Sequence, residues 1–156
     1  LAMGVGGRVA EHHVADQINA SGLGQPKRVL ASPVPIDPLR RRIIFETDAG
    51  YGFGEYRWLS SPKAKIQAGL VPTNMHDPAI AIARKQEKEV SDFLYWSRFP
   101  FATIQRDANG TEVIIGDARY NRSPVDGRFN VRAKILDSGR AHEQSTINPH
   151  PAPPPE

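Results

Sequence analysis

The sequence predicts an α+β fold: a single antiparallel sheet of about five strands, covered by one main helix with an N-terminal helix beside it. Three observations predict it. Two strand–turn–strand patterns, over residues 40–59 and 98–120, close on turns that contain glycine. One helical stripe, at residues 78–95, stands between them behind an Asp-Pro start. The strands come in runs segregated from the helices, which argues against a parallel α/β layout.

Residues 1–7 are small and apolar, too short for a signal peptide and without a charged leading region. Residues 8–20 carry Ala10, Val14, Gln17 and Ile18 on one helical stripe, with Ser21 and Gly22 as the stop. Residues 22–26 are a linker and 27–31 a short strand. Across 32–38 a proline recurs every second or third position. Each fixes φ and pushes its predecessor to extended geometry, so the segment is expected to be a stiff extended connector. Residues 40–46 form a strand around Ile43, Ile44 and Phe45. Asp48, Ala49 and Gly50 turn it, and 51–59 return with Gly52 and Gly54 among Tyr51, Phe53 and Tyr56. Glycines inside a strand mark places where something approaches the backbone closely, usually another part of the same fold.

Asp77 is a natural N-cap and Pro78 a natural first-turn residue. Ala79, Ile82, Ala83, Gln86, Val90, Phe93 and Leu94 then carry one helix to about Trp96. In the second hairpin, Phe99, Phe101 and Thr103 alternate with Pro100, Ala102 and Ile104, and Ile114 sits between Val113 and Ile115. Phe101 and Ile115 are expected in the core. A two-residue loop of Asn109 and Gly110 sets Asp107 opposite Glu112. A three-residue loop, 108–110, sets Arg106 opposite Glu112 and Ile104 beside Ile114. Facing charges are worth roughly 0.2–1 kcal/mol either way, which favours the three-residue loop, with Gly110 at positive φ. Pro100 cannot donate to a ladder, so the first arm starts at an edge or a bulge. Residues 129–136 are the last strand. The tail is nearly without large apolar residues and ends PHPAPPPE, a composition of disorder. The organisation is therefore 1–24, helix and linker, whose apolar start is consistent with the end of a membrane segment; 25–137, α+β domain; 138–156, disordered Pro-rich tail.

A chain of 156 residues is long enough for one domain with a core. The absence of cysteine excludes disulfides, thiolate metal sites and a Cys nucleophile. The net charge of +3 is spread along the chain, so a solvated basic surface is the simpler reading and no nucleic-acid partner is expected. No run of eighteen apolar residues is present to span a bilayer.

No catalytic or metal-ligating residue stands out. The glycines at 4–7 follow no strand and lack the Lys-Ser/Thr ending of a phosphate loop. His12 and His13 point about 100° apart on a helix. His12 and Asp16 supply two ligands without a third, and His76, His142 and His150 have no partner at ligand spacing. Asp117 and Arg119, on one side of a strand end, make an ion pair or hold a polar ligand. Tyr56, Trp58, Arg98 and Tyr120 complete the binding candidates, because Tyr56, Trp58, Tyr95, Trp96 and Tyr120 lie among arginines. That interleaving occurs in single-strand nucleic-acid binders and wherever arginines stack on aromatics at the edge of a core; the second is the simpler reading.

Three blocks carry a resemblance: RVLASPVPIDP at 28–38, WSRFP at 96–100 and IGDARY at 115–120. In that order they resemble the C-terminal region of bacterial membrane-bound metal-dependent hydrolases, the inner-membrane family related to a LexA-binding protein. The resemblance covers roughly residues 25–136. Arg40, Arg41 and Arg42 stand where that pattern has an aromatic. It implies a soluble accessory domain, not catalytic by itself, whose partner is the protein's own membrane-embedded N-terminal half. A divalent metal then belongs to a short His-rich motif of that half, which no residue here matches, and the whole protein sits at the inner membrane. The alternative is a stand-alone binding module with its site at the 51–58 hairpin or near Asp117 and Arg119. A third is a small enzyme with a site assembled through space.

Overall fold

The computed structural model describes residues 2–126 and 129–135. In chain order it comprises α1 (Ala2–Ala20), β1 (Arg28–Val34), β2 (Asp37–Thr47), β3 (Gly50–Arg57), β4 (Ala64–Ile66), α2 (Pro78–Gln86), α3 (Lys88–Trp96), β5 (Pro100–Asp107), β6 (Gly110–Asp117) and β7 (Asn130–Ile135). The α+β class stands. The single five-stranded sheet does not: the strands form two antiparallel sheets, ordered β1-β2-β3-β4 and β5-β6-β7.

Consecutive apolar residues explain the split. Ile43, Ile44 and Phe45 are all buried, and so are Val113, Ile114 and Ile115. Neighbouring strand residues face opposite ways, so such a run requires cover on both faces. Ile43 and Phe45 pack with Ala10, Val14 and Ile18 of α1. Ile44 packs with Tyr51, Phe53, Phe99 and Phe101, between the sheets. Val113 and Ile115 pack with Ile80, Val90 and Phe93 of α2 and α3. The result is four layers: α1, the first sheet, the second sheet, then α2 with α3. Each fully buried Ile or Phe contributes about 1.5–3 kcal/mol of transfer free energy to these contacts.

The facing sheet edges are occupied by the chain between them. After β4 pairs with residues 54–56 of β3, Gln67 N donates to Phe53 O, and Tyr51 and Val71 exchange two hydrogen bonds of 2.8 Å. Two residues later the same segment reaches the other sheet. Ala102 N donates to Thr73 O, and Asn74 Nδ2 donates to Ala102 O, each at 2.8 Å. With its ladder groups taken up in this way, β3 does not pair with β5. The short strand β4 carries no signal strong enough to predict it.

Other expectations are corrected. The proline-rich connector is a hairpin: β1 pairs with β2 from Arg28 opposite Glu46 to Val34 opposite Asp37, around Pro35 and Ile36. Pro33 is tolerated because β1 is an edge strand whose register shifts at that point. The helix at 78–95 is two helices, interrupted at Glu87, whose backbone is extended (φ −117°, ψ 113°). Residues 84–89 are all charged or amide, so nothing there anchors a continuous helix to the sheet. In the second hairpin both registers considered above fail. Asp107 pairs with Gly110 around a two-residue loop, Ala108 and Asn109, so Gln105 faces Glu112 and Ile104 faces Val113. Gly110 does have the expected positive φ (133°), in a different register, and a Cβ there would in addition lie 2.7 Å from Ile135 O of β7. Asn109 N also donates to Asp107 Oδ1 at 2.7 Å, an Asx turn that tightens the loop.

Phe101 and Ile115 are fully buried as expected, and β5 is an edge strand that starts at Pro100. Helix α1 begins six residues before the expected start. Among the described residues no helix is long and apolar enough to cross a membrane. The expected disordered tail, 138–156, lies outside the described residues, as do Leu136, His142 and His150.

Candidate functional site

The six binding candidates fall into two groups, and no hydrogen bond, ion pair or ring contact joins the groups among the described residues. Tyr56 and Trp58 belong to the first sheet. Tyr56 is fully buried beneath α1, and its hydroxyl shares a 3.1 Å hydrogen bond with His13 Nδ1. Burial pushes the Tyr56 hydroxyl pKa up. Trp58 packs edge-on against Tyr56 with centroids 5.1 Å apart. The close approach signalled by Gly52 is internal: a Cβ there would lie 2.0 Å from the Phe45 ring, its cross-strand neighbour. Beside this group Arg41 is 8 % exposed. Its Nε has no partner, and Nη1 reaches Ala31 O only at 3.5 Å.

The second group forms where α3 ends beside the end of β6. The Asp117 side chain is fully buried. Its Oδ2 accepts from Ser97 Oγ (2.7 Å), Arg98 N (3.0 Å) and Arg119 Nη2 (2.8 Å). Its Oδ1 accepts from Arg119 N (2.9 Å) and Arg119 Nε (3.0 Å). Burial alone would raise the Asp117 pKa. The hydrogen bonds from Arg119 and Ser97, with the Arg119 charge, outweigh it and hold the carboxyl below its usual range. Arg119 is held correspondingly more firmly in its charged form, chiefly by its hydrogen bond to Asp117. Arg98 contributes its backbone N–H to this knot and leaves its side chain exposed.

With its fork fixed on Asp117, Arg119 lies over two rings, 5.6 Å from the Trp96 centroid and 5.1 Å from that of Tyr120. Trp96 and Tyr120 are 6.4 Å apart, and Tyr120 and Phe129 4.8 Å apart. On its other side Trp96 leans on buried Phe93 at 5.0 Å. Trp96, Tyr120 and Phe129 are 43 %, 52 % and 52 % exposed. They form a row of half-exposed rings on a rigid base. The loop after β6 is held in place by Asn121, whose Nδ2 donates to Phe129 O at 2.8 Å. Gly116 leaves room for that amide, since a Cβ there would sit 3.2 Å from it.

Sequence reasoning placed Asp117, Arg119 and Tyr120 together and left Trp96 and Phe129 out of the site. Trp96 was visible as an aromatic two residues before Arg98. Phe129 opens the strand expected at 129–136, but no local pattern announces that the chain returns beside Tyr120 there. An open groove of about 740 Å³ also runs beside α2 and α3. Met75, Ile80 and Leu94 form its apolar lining and His76, Arg84 and Lys85 its basic one. Among the described residues no three His, Asp or Glu side chains gather to hold a metal ion. Comparison with family models, with curated proteins and with solved structures finds no match to this chain.

Proposed function

We propose that this chain is a non-catalytic recognition domain whose binding surface is the row Trp96, Tyr120 and Phe129 with Arg119. The observation that carries the reading is the row itself: three neighbouring half-exposed rings, two of them beneath a guanidinium whose direction is fixed by a buried carboxylate. Exposed aromatic clusters mark interaction sites, and Trp, Tyr and Arg are the residue types that dominate interface energetics. A surface already held in one arrangement loses little conformational freedom when it binds. Asp117 in this reading is a positioning residue, because every lone pair available for proton abstraction is already engaged by a donor.

The resemblance over residues 25–136 supplies the setting. The chain is read as the accessory domain of a membrane-anchored, metal-dependent hydrolase. Its partner is the membrane-embedded half, which holds the metal, performs the reaction and keeps the assembly at the inner membrane.

Two measurements test this. The gene is read upstream of residue 1 for apolar spans with a His-rich motif; a gene without them removes the setting. The membrane half and this chain are then produced separately and co-purified in detergent. Trp96→Ala with Tyr120→Ala is expected to reduce capture at least about tenfold, with the urea midpoint showing that the variant is folded. Capture equal to that of the native chain would remove the surface.

A further inference from the structure

We infer that the end of the first sheet where β1 turns into β2 and β3 into β4 docks on an anionic lipid surface. The two connections lie side by side. Val34 pairs with Asp37 around Pro35 and Ile36, Arg57 N donates to Lys63 O across the loop after β3, and Trp58 N donates to Leu39 O between them. Strand spacing puts the two tips about 10 Å apart. Each presents an aliphatic side chain to solvent: Ile36 is 104 % exposed and Leu59 84 %, with Leu39 between them at 47 %. Single exposed apolar residues are ordinary, but three gathered at one end of a sheet form a patch that asks for cover. Ile36 is the plainest case. Its backbone is left-handed (φ 73°), which a β-branched residue adopts only at a cost, while its side chain buries nothing. That position of a Pro-led turn is ordinarily glycine or asparagine, so folding gives no reason for isoleucine there.

Behind the tips stands a collar of positive charge. Strand alternation puts Arg40 and Arg42 of β2, Glu55 and Arg57 of β3 and Lys65 of β4 on one face, with Arg42 and Lys65 on either side of Glu55. Glu55 is already engaged by Arg40 and Arg57. Arg42, Lys63 and Lys65 are exposed and make no ion pair among the described residues. Asp37, the other carboxylate at this end, accepts from Leu39 N at 3.1 Å. Arg122 reaches the same face over the Phe53 ring, where burial and then the charge of Arg42 lower its pKa. Aliphatic tips in front of a cationic collar match the layering of a lipid leaflet. The tips enter the boundary of headgroups and acyl chains, about 5–10 Å deep, and the collar meets the anionic headgroups. A second copy of this end would bring like charges together. Single-stranded nucleic acid would find no stacking platform, because the exposed apolar residues are aliphatic and Trp58 packs edge-on against Tyr56. None of these residues belongs to the aromatic row, so the two surfaces stand or fall independently.

The test is co-sedimentation of the full chain with vesicles of phosphatidylcholine alone and of phosphatidylcholine with about one third phosphatidylglycerol. The chain is expected to sediment with the anionic vesicles at least about tenfold better than with the neutral ones, and less well as salt rises. Lys63→Gln with Lys65→Gln should weaken that binding more than about tenfold, at roughly fivefold per charge. Ile36→Asn with Leu59→Ser should also weaken it at least about tenfold, by removing the inserted hydrocarbon. The urea midpoint of this second variant should equal or exceed that of the native chain, since asparagine tolerates the left-handed backbone and neither side chain supports the core. A lower midpoint would show that the tips serve the fold, and would overturn the proposal. So would absence of binding to anionic vesicles, equal binding to neutral ones, or binding that Ile36→Asn with Leu59→Ser leaves unchanged. A single-stranded oligonucleotide that displaces the chain from vesicles, and whose own binding is lost in the lysine variant but kept in the aliphatic one, would assign the collar to nucleic acid and overturn it as well.

Discussion

Asp117 Oδ2 accepts a 2.7 Å hydrogen bond from Ser97 Oγ, joining the residue that caps the C-terminus of α3 to the last residue of β6. That bond and the Arg119 fork converge on one buried carboxylate, so the helix end, the sheet end and the aromatic row share a single electrostatic anchor.

Replacing Asp117 with Asn should cost about 3 kcal/mol at neutral pH, because a partly buried guanidinium loses its counter-charge. The sign of the pH dependence follows from the lowered folded pKa. The ionised form is stabilised by folding, so the contribution is complete above the ordinary carboxylate value of 3.8 and is lost as pH falls below it towards the depressed folded value. Asp77 and Glu55 have lowered values too, through Arg106 and Arg57, and add to the acid limb. Urea midpoints of native and Asp117→Asn protein should therefore converge as pH drops below about 4. A constant gap down to pH 2 would show that Asp117 is not ionised at neutral pH.

Phe101→Ala should cost about 3–5 kcal/mol and Ile115→Ala about 2–5 kcal/mol. Both side chains are fully buried, yet Phe101 fills the layer between the sheets and Ile115 the layer beneath α2 and α3. The two losses should add within about 0.5 kcal/mol if the layers are independent. An urea midpoint indifferent to Phe101→Ala would displace that ring from the core.

Gly52→Ala should be destabilising by about 1–3 kcal/mol, as overpacking forces a side chain off its rotamer. The added methyl meets the Phe45 ring at 2.0 Å. Phe45→Leu in the same chain should recover part of the loss, since it vacates that volume. Absence of any recovery would locate the strain elsewhere.

Arg41→Met should hold or raise stability, by up to about 1–3 kcal/mol, through removal of a buried unsatisfied N–H and of a buried charge with no ion-pair partner among the described residues. Chemical denaturation at low and high salt would check it. A fall in midpoint would mean that the guanidinium supports α1 through its tip near Gly6.

Local chemistry was legible in the sequence wherever one residue type answers one backbone demand. Asp77 caps α2 through a 2.9 Å bond from Ala79 N, and Gly50 and Gly110 both take positive φ at their turns. The pairing of Asp117 with Arg119 was legible as well, since two residues apart on a strand end share a side. Partition into two sheets was not. It depends on residues 67–74 reaching the edges of both β3 and β5, contacts with no local signature. The hairpin register was missed because charge pairing was weighed locally. In the fold Arg106 answers Asp77, with Nη2 2.7 Å from Oδ1, and Glu112, opposite Lys134 of β7, has Arg132 diagonally across at 3.9 Å.

The shared segment between the sheets also sets how the protein opens. Tyr51 N is protected by Val71 O and Ala102 N by Thr73 O, two residues along the same stretch of backbone. Neither amide can meet solvent deuterons unless that stretch lifts away, and lifting it bares both sheet edges together. Tyr51 and Ala102 should therefore exchange in one cooperative event with a common opening free energy, although they belong to different sheets.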